Sequence, residues 1–317
     1  MSLSLCGQSV ANTGQLQCDK SRGVLKKIFI CNGSFSSTDY ADEATLFAKM
    51  VTNSKLSKTD TNKVFVINEA QDIADASESN TEGTLNLGFK AVLREGKPAY
   101  TVKIFAGADL LKRLRAFNNQ TVRIFEWDAN GVLWGVKSGT EFKGFQAKLF
   151  FSGNKISTGQ NVEEGVVTMT ISILSTSEYY DNPVWASLSG YNIEDIKPLI
   201  DVPLSFISGA TNVHKIGIKI VDSNLVSDYN IFDDFGSAIA ALSANFSAKS
   251  GAGDPATSLA ITSIAVDNSL KCLTVTYDST AYTSATGNIK LIPPTPAQLD
   301  SGNVPGVELI KVTYAKV

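Results

Sequence analysis

The sequence predicts a mainly β protein of the α+β type: an antiparallel β-sandwich or barrel with one packed helix, followed by a second, smaller β-sandwich. Three observations carry that expectation. Short segments rich in Val, Ile, Phe, Tyr and Thr recur with period-two alternation along the chain. Gly, Asn, Asp and Ser separate them at turn spacing. The composition shifts near Asn182-Pro183 and through the acidic-apolar stretch Tyr191 to Pro203, so a boundary is expected near residue 200. A 317-residue chain exceeds what one core usually serves, which favours two domains, 1–200 and 201–317.

The first elements are Val24 to Ile30, an apolar β-branched run after an extended polar arm, then Asp42 to Met50 with helical spacing, then a strand over Lys63 to Asn68. From Gly83 to Leu93 the residues Leu85, Leu87, Phe89, Ala91 and Leu93 alternate with Thr84, Asn86, Gly88 and Lys90, the pattern of one long amphipathic strand. Arg94-Glu95-Gly96-Lys97-Pro98 reads as its turn, with Tyr100, Val102 and Ile104 returning, so a long hairpin is expected. Leu110, Leu111, Leu114 and Phe117 fall at helical spacing behind Asp109, a candidate N-cap. Two hairpins follow, Val122 to Trp127 with Val132 to Val136, and Gln146 to Phe151 with Val166 to Leu174. Beyond residue 200, strands are expected at Val202 to Ile207, Lys215 to Val221, Ala260 to Val266, Lys271 to Tyr277, Asn288 to Ile292 and Val307 to Tyr314. Phe235 to Asn245 fits a helix or a buried strand equally.

Composition argues against several functions. A formal net charge of −3, from 28 Lys and Arg against 31 Asp and Glu, offers no basic field for a stable grip on nucleic acid. No run approaches the roughly 18 apolar residues of a membrane-spanning helix, and Met1 to Val10 lacks the basic and apolar regions of a signal peptide. The four cysteines, Cys6, Cys18, Cys31 and Cys272, form no CxxC pair, and His214 is the sole histidine, so no zinc ligand set is expected and free thiols are the default.

The chemistry-bearing residues are sparse, and the reading is of a protein that is not an enzyme and needs no cofactor. His214, at a strand edge without a nucleophile motif, reads as a surface or turn histidine. Asp233-Asp234 and Glu163-Glu164 read as solvated turn carboxylates, since neighbours on a strand point to opposite faces. Asp128-Ala129-Asn130-Gly131 opens like a calcium loop but has Gly139 where position twelve needs Glu, so a hairpin turn is preferred. Lys112, Arg113 and Arg115 read as the wet face of a helix, and no phosphate-binding glycine loop is present. Tyr179, Tyr180, Trp185 and Tyr191 read as packing rings near the boundary.

The order from Ile28 to Leu174, long hairpin, amphipathic helix, then hairpins such as Val122-Arg123-Ile124-Phe125-Glu126-Trp127 returning through Gly131-Val132-Leu133-Trp134-Gly135, resembles the tail-tube family of tailed bacteriophages and contractile systems. The opening Cys6 to Cys18 with Lys26-Lys27-Ile28-Phe29-Ile30 resembles structural proteins of phages infecting Bacteroidetes, and the part beyond residue 200 resembles the immunoglobulin-like modules that virion proteins carry. The resemblance implies a virion protein assembled in the host cytoplasm into stacked six-membered rings around a DNA channel. Its partners would be copies of itself, other virion proteins and, transiently and non-specifically, DNA, with no membrane. The hairpin would supply the wall, with Thr84, Asn86, Gly88 and Lys90 towards the lumen and Arg94, Glu95 and Lys97 at a tip that reaches a neighbour. Capsid decoration or another minor virion position, and a carbohydrate-binding adhesin, are the alternatives.

Overall fold

The computed structural model describes residues 4–5, 22–67, 70–84, 90–105, 108–153, 166–220 and 229–317. The chain divides into two compact units, Met1–Ser54 with Lys58–Pro198, and Lys55–Ser57 with Leu199–Val317. Both are mainly β with a few helices.

The first unit holds β1 (Ser4–Leu5), β2 (Leu25–Cys31), β3 (Phe35–Ser36), helix α1 (Glu43–Ser54), β4 (Val64–Ile67), β5 (Ala70–Asp75), β6 (Thr81–Thr84), β7 (Lys90–Arg94) and β8 (Ala99–Phe105). Helix α2 (Ala108–Leu114) follows, then β9 (Thr121–Asp128), β10 (Val132–Ser138), β11 (Glu141–Lys143), β12 (Phe145–Gly153), β13 (Val166–Ile173) and β14 (Pro183–Ser187). One antiparallel sheet runs β1-β14-β10-β9-β12-β13-β8-β5, with β2 and β4 attached through β9 and with β11 and β3 through β10. Strand β9 is the hub: β2 covers one edge from Cys31↔Arg123 to Leu25↔Asp128, while β12 and β10 share the other.

The near-continuous apolar runs of β2 and β9 follow from that position, because both faces of each strand are buried. Ile28 and Ile30 point with Val122 and Ile124 into a first core that also takes Tyr100, Val102 and Ile104 of β8 and Met169, Ile171 and Ile173 of β13. Strands from distant parts of the sheet share this core, so the sheet must curl around it. Phe29 and Cys31 point the other way, with Phe125 and Trp127, into a second core roofed by Leu46, Phe47 and Met50 of α1. Asp42 starts that helix, its carboxylate accepting from the Thr45 amide at 2.7 Å and the Thr45 hydroxyl at 2.9 Å. The tight β9–β10 turn depends on Gly131 at φ 73°, a conformation open to glycine at no steric cost. Helix α2 begins at Ala108, one residue ahead of the expected cap Asp109, and sends Leu111 and Leu114 into the first core.

The second unit is a two-sheet sandwich. It contains β15 (Ile200–Ala210), β16 (Val213–Ile220), β17 (Tyr229–Asn230), helix α3 (Phe232–Ala241), β18 (Ser247–Gly251), β19 (Thr257–Leu259), β20 (Ile261–Asp267) and β21 (Cys272–Tyr277). Helix α4 (Ser279–Ser284), β22 (Asn288–Ile292), helix α5 (Pro296–Ser301), β23 (Val307–Ile310) and β24 (Val312–Ala315) complete it. One sheet runs β20-β21-β16-β15-β23 with β17 beside β16, the other β19-β18-β22-β24, and a single core fills the space between them. The pairing of β15 with β23 is parallel, and three helices are added, features beyond an all-antiparallel immunoglobulin sandwich. The ambiguous segment after Phe235 belongs to α3: Phe232 and Ile239 lie one helical face apart and are both buried, which a strand's alternation would not achieve.

Candidate functional site: a projecting arm, a polar sheet face and a pocket

The long hairpin exists, but its register differs from the sequence expectation. Strand β5 pairs with β8 from Ala70↔Ile104 to Asp75↔Tyr100, and the same pairing continues outwards through Thr81↔Arg94 to Thr84↔Lys90. Between them the Ala76 amide donates to the Ala99 carbonyl at 2.9 Å and the Glu78 amide to the Lys97 carbonyl at 3.0 Å. The result is one two-stranded arm whose stem beyond Asp75, about nine residues a side, extends roughly 30 Å.

Arg94, Glu95 and Lys97 therefore do not form the tip; they lie along the stem. Arg94 donates to Glu78 across the stem at 2.7 Å, and Glu95 and Lys97 are exposed. Thr84 and Lys90 face each other as a cross-strand pair rather than standing along one strand, while Asn86 and Gly88 lie outside the described residues. The sequence misled because Gly96 and Pro98 look like turn residues. Gly96 serves close approach instead: a Cβ there would stand 1.7 Å from the Glu78 carbonyl oxygen, and its amide donates to the Asn80 side chain at 2.8 Å. Gly96→Ala should force the two stem strands apart, seen as faster amide exchange at Glu78 and Gly96 with an unchanged melting temperature of the two cores.

The arm is wet. Residues 76–82 are all exposed on one stem strand; on the other Val92 is 54% exposed and Arg94, Glu95 and Lys97 are exposed, while Gly96 and Pro98 are buried. Neither residues 76–84 nor Val92 and Arg94 to Pro98 belong to either core. At its root, β5 is a sheet edge: among the described residues it is hydrogen-bonded to β8 alone.

Beside the root lies the outer face of β12, β13 and β8. Register stacks Lys148 beside Ser172, Phe150 beside Thr170 and Thr101, and Ser152 beside Thr168 and Lys103. The opposite, inward alternation of these strands fills the first core. This outer face is rich in hydroxyls, carries two lysines and has no carboxylate, on a chain of net negative charge. It is broken by the ring of Phe150, which is 40% exposed.

A pocket of about 670 Å³ opens at the arm's root, lined by the Arg22–Leu25 lead into β2, by β5, by Pro98–Tyr100 and by Tyr179 and Tyr180. Glu126 of β9 lies within it, 5% exposed, accepting from the Tyr100 hydroxyl at 2.6 Å, with the Arg22 guanidinium 3.6 Å away. Burial pushes the Glu126 carboxyl up, against the pull of Arg22 and of hydrogen bonds from Tyr100 and Tyr179. Arg22 stands 3.7 Å from the Tyr179 ring centroid, 4.9 Å from Phe145 and 5.4 Å from Trp134, and donates to the Tyr179 carbonyl at 3.1 Å. Asp128 is likewise buried and accepts from the amides of Gly23, Asn130 and Val132 and from Trp134 Nε1, all between 2.9 and 3.0 Å. It organises the turn, as the hairpin reading of Asp128 to Gly131 expects. No local pattern in the sequence predicts this pocket. Its one legible sign was Glu126, a charge inside the apolar run Ile124 to Trp127.

Other singled-out residues do not converge. Asp233 pairs with Lys271 at 2.6 Å on the surface of the second unit, and Glu163-Glu164 lie outside the described residues. Cys31 and Cys272 are buried free thiols, and burial pushes the Cys31 thiol up to about 12. His214 corrects the sequence reading: it is fully buried in β16, not on the surface, because Phe206, Tyr277, Tyr282 and Tyr314 enclose it. No described helix is long and apolar enough to cross a membrane. Comparison with protein-family models, with curated proteins and with solved structures returns no match for this chain.

Proposed function

We propose that this chain is a self-assembling structural subunit, of the kind that forms the tail tube of a tailed bacteriophage, and that its work is done by packing against copies of itself. One observation carries the reading: the two strands of the arm between Ala76 and Ala99 are hydrogen-bonded to each other over the described residues, and none of the side chains described there belongs to either core of its own unit. An isolated two-stranded ribbon is marginal in water, and a free sheet edge is normally blunted, so such an arm beside β5, which bonds to β8 alone among the described residues, suits a surface that a neighbour covers. Stacked rings around a DNA channel are what the resemblance implies, and it rests on the order of arm, helix α2 and the β9–β10 and β12–β13 hairpins.

In that assembly the hydroxyl face of β12, β13 and β8 is the one suited to line a channel. Serine and threonine offer short, neutral groups, so DNA phosphates would meet weak contacts that do not retain them. The assignment moves the lumen from Thr84, Asn86, Gly88 and Lys90 to Thr101, Lys103, Thr168, Thr170 and Ser172. Negative-stain electron microscopy of the purified chain over a range of concentration and salt, with and without virion partners that start assembly, tests the proposal. Hollow rings or tubes are expected; dispersed single chains under every one of those conditions would overturn it.

A further inference from the structure

The residues that line the pocket at the arm's root differ in exposure. Deep inside, Arg22 already occupies the rings of Tyr179, Phe145 and Trp134 above Glu126. Nearer the mouth stand Val24, 73% exposed, Tyr180, 58% exposed, Ile73, 37% exposed, and the exposed carboxylate of Asp75.

The formal charges do not balance. Besides Glu126, whose carboxyl burial pushes up, Asp128 and Asp75 line the pocket, and among the described lining residues Arg22 is the one cation. The four donors around Asp128 are amides and an indole, which satisfy its oxygens without neutralising it. Hydrogen bonds from Ser77 hold the Asp75 carboxyl below the usual carboxylate range, so it stays ionised at neutral pH. An electron-rich ring and apolar side chains beside an uncompensated carboxylate suit a cation on an alkyl stem: the stem lies on Val24 and Ile73, and the charge meets Asp75 and the face of Tyr180. Arg22 and its three rings are this same recognition, made by the chain with itself.

We propose that the mouth of this pocket is a binding site for a basic side chain, arginine or lysine, presented by a second polypeptide. Ile73 and Asp75 sit on β5, which among the described residues is hydrogen-bonded to β8 alone, so an extended segment bonding to that strand would bring alternate side chains over the mouth. The site does not depend on tube formation and is testable on the dispersed chain.

The probe is N-acetyl-arginine amide, with the uncharged isostere N-acetyl-citrulline amide beside it, titrated into the full chain and followed by saturation-transfer NMR. Saturable binding of the arginine amide is expected, weaker by about three- to tenfold for citrulline and by a similar factor in Asp75→Asn and in Tyr180→Ala. Both positions are exposed, so both variants should fold, which circular dichroism verifies. Equal binding of the two amides, no saturable binding, or binding unmoved by either substitution would overturn the proposal.

Discussion

Replacing residues 77–98 by Asn-Gly, so that Ala76 and Ala99 close a two-residue turn, should leave the first unit folded and abolish assembly. Ala76 already donates to the Ala99 carbonyl at 2.9 Å, and a type I′ turn suits a pair so bonded. Both cores keep every described member, because Tyr100, Val102 and Ile104 lie beyond the deleted segment. The melting temperature should therefore hold to within a few degrees. The concentration needed for rings or tubes should rise by roughly 100-fold or more, the loss of about 3 kcal/mol or more of contact between copies. Sedimentation velocity beside electron microscopy reads both quantities. Rings at the wild-type concentration would remove the arm from the assembly and, with it, the observation on which the proposed function stands.

The largest effect on folding is expected in the second unit, at His214. Its imidazole is fully enclosed and tied into one directed chain of hydrogen bonds. Tyr277 and Tyr314 share a hydroxyl–hydroxyl bond of 2.6 Å, and the Tyr314 hydroxyl meets Nδ1 at 3.1 Å. Nε2 lies 3.1 Å from the Thr211 carbonyl and 2.9 Å from the Tyr282 hydroxyl, which itself donates to the Val317 carbonyl at 2.8 Å. The Thr211 carbonyl can only accept, so these partners assign the proton to Nε2 and make Nδ1 the acceptor from Tyr314. His214→Ala opens a cavity and strands buried tyrosine hydroxyls, together costing roughly 3–5 kcal/mol. His214→Gln, which can still donate and accept, should lose less.

The same network fixes the direction of a pH response. Burial pulls the His214 pKa below its ordinary 6.5, opposed only in part by the Thr211 carbonyl. The folded state thus disfavours the proton that the unfolded chain accepts, so this contribution is complete above pH 6.5 and is lost as pH falls from there towards the folded value. The slope should approach about 1.4 kcal/mol per pH unit within that window. Glu126, whose carboxyl is raised, acts in the opposite sense in the first unit, so the difference between wild type and His214→Gln isolates the histidine. Urea unfolding at pH 7.5 and pH 5 of both chains makes the measurement. An identical pH dependence in the two would show that the imidazole is not held neutral by its burial.

Much of this architecture was written in local pattern. Alternation of Val167, Met169, Ile171 and Ile173 with Thr168, Thr170 and Ser172 defined both a strand and its two faces, because side chains on a strand alternate by geometry whatever the strand packs against. The spacing of Ala44, Phe47, Ala48 and Val51 likewise marked a helix but not its buried stripe, which is Leu46, Phe47 and Met50, with Ala44 and Ala48 exposed. Pairing is another matter. Residues 83–105 contain one amphipathic run and one plausible turn, the local pattern of a hairpin closed at Arg94 to Pro98. Only the tertiary structure shows that β8 takes β5 and β13 as neighbours and that β7 runs back along β6. Register is set by which backbone lies opposite, and the glycine that looked like a turn was needed because the Glu78 carbonyl passes against it.

The pocket and the His214 network were hidden for the same reason. Arg22 and Tyr179 are 157 positions apart, and His214 and Tyr314 are 100 apart, so no local window contains either contact. What the sequence by itself determined is where strands and helices form and which side of each is apolar, because those depend on neighbours within a turn or two. What only the tertiary structure decided is which edges meet, which polar groups are buried together and which surfaces are left uncovered, because those depend on residues brought together by the fold.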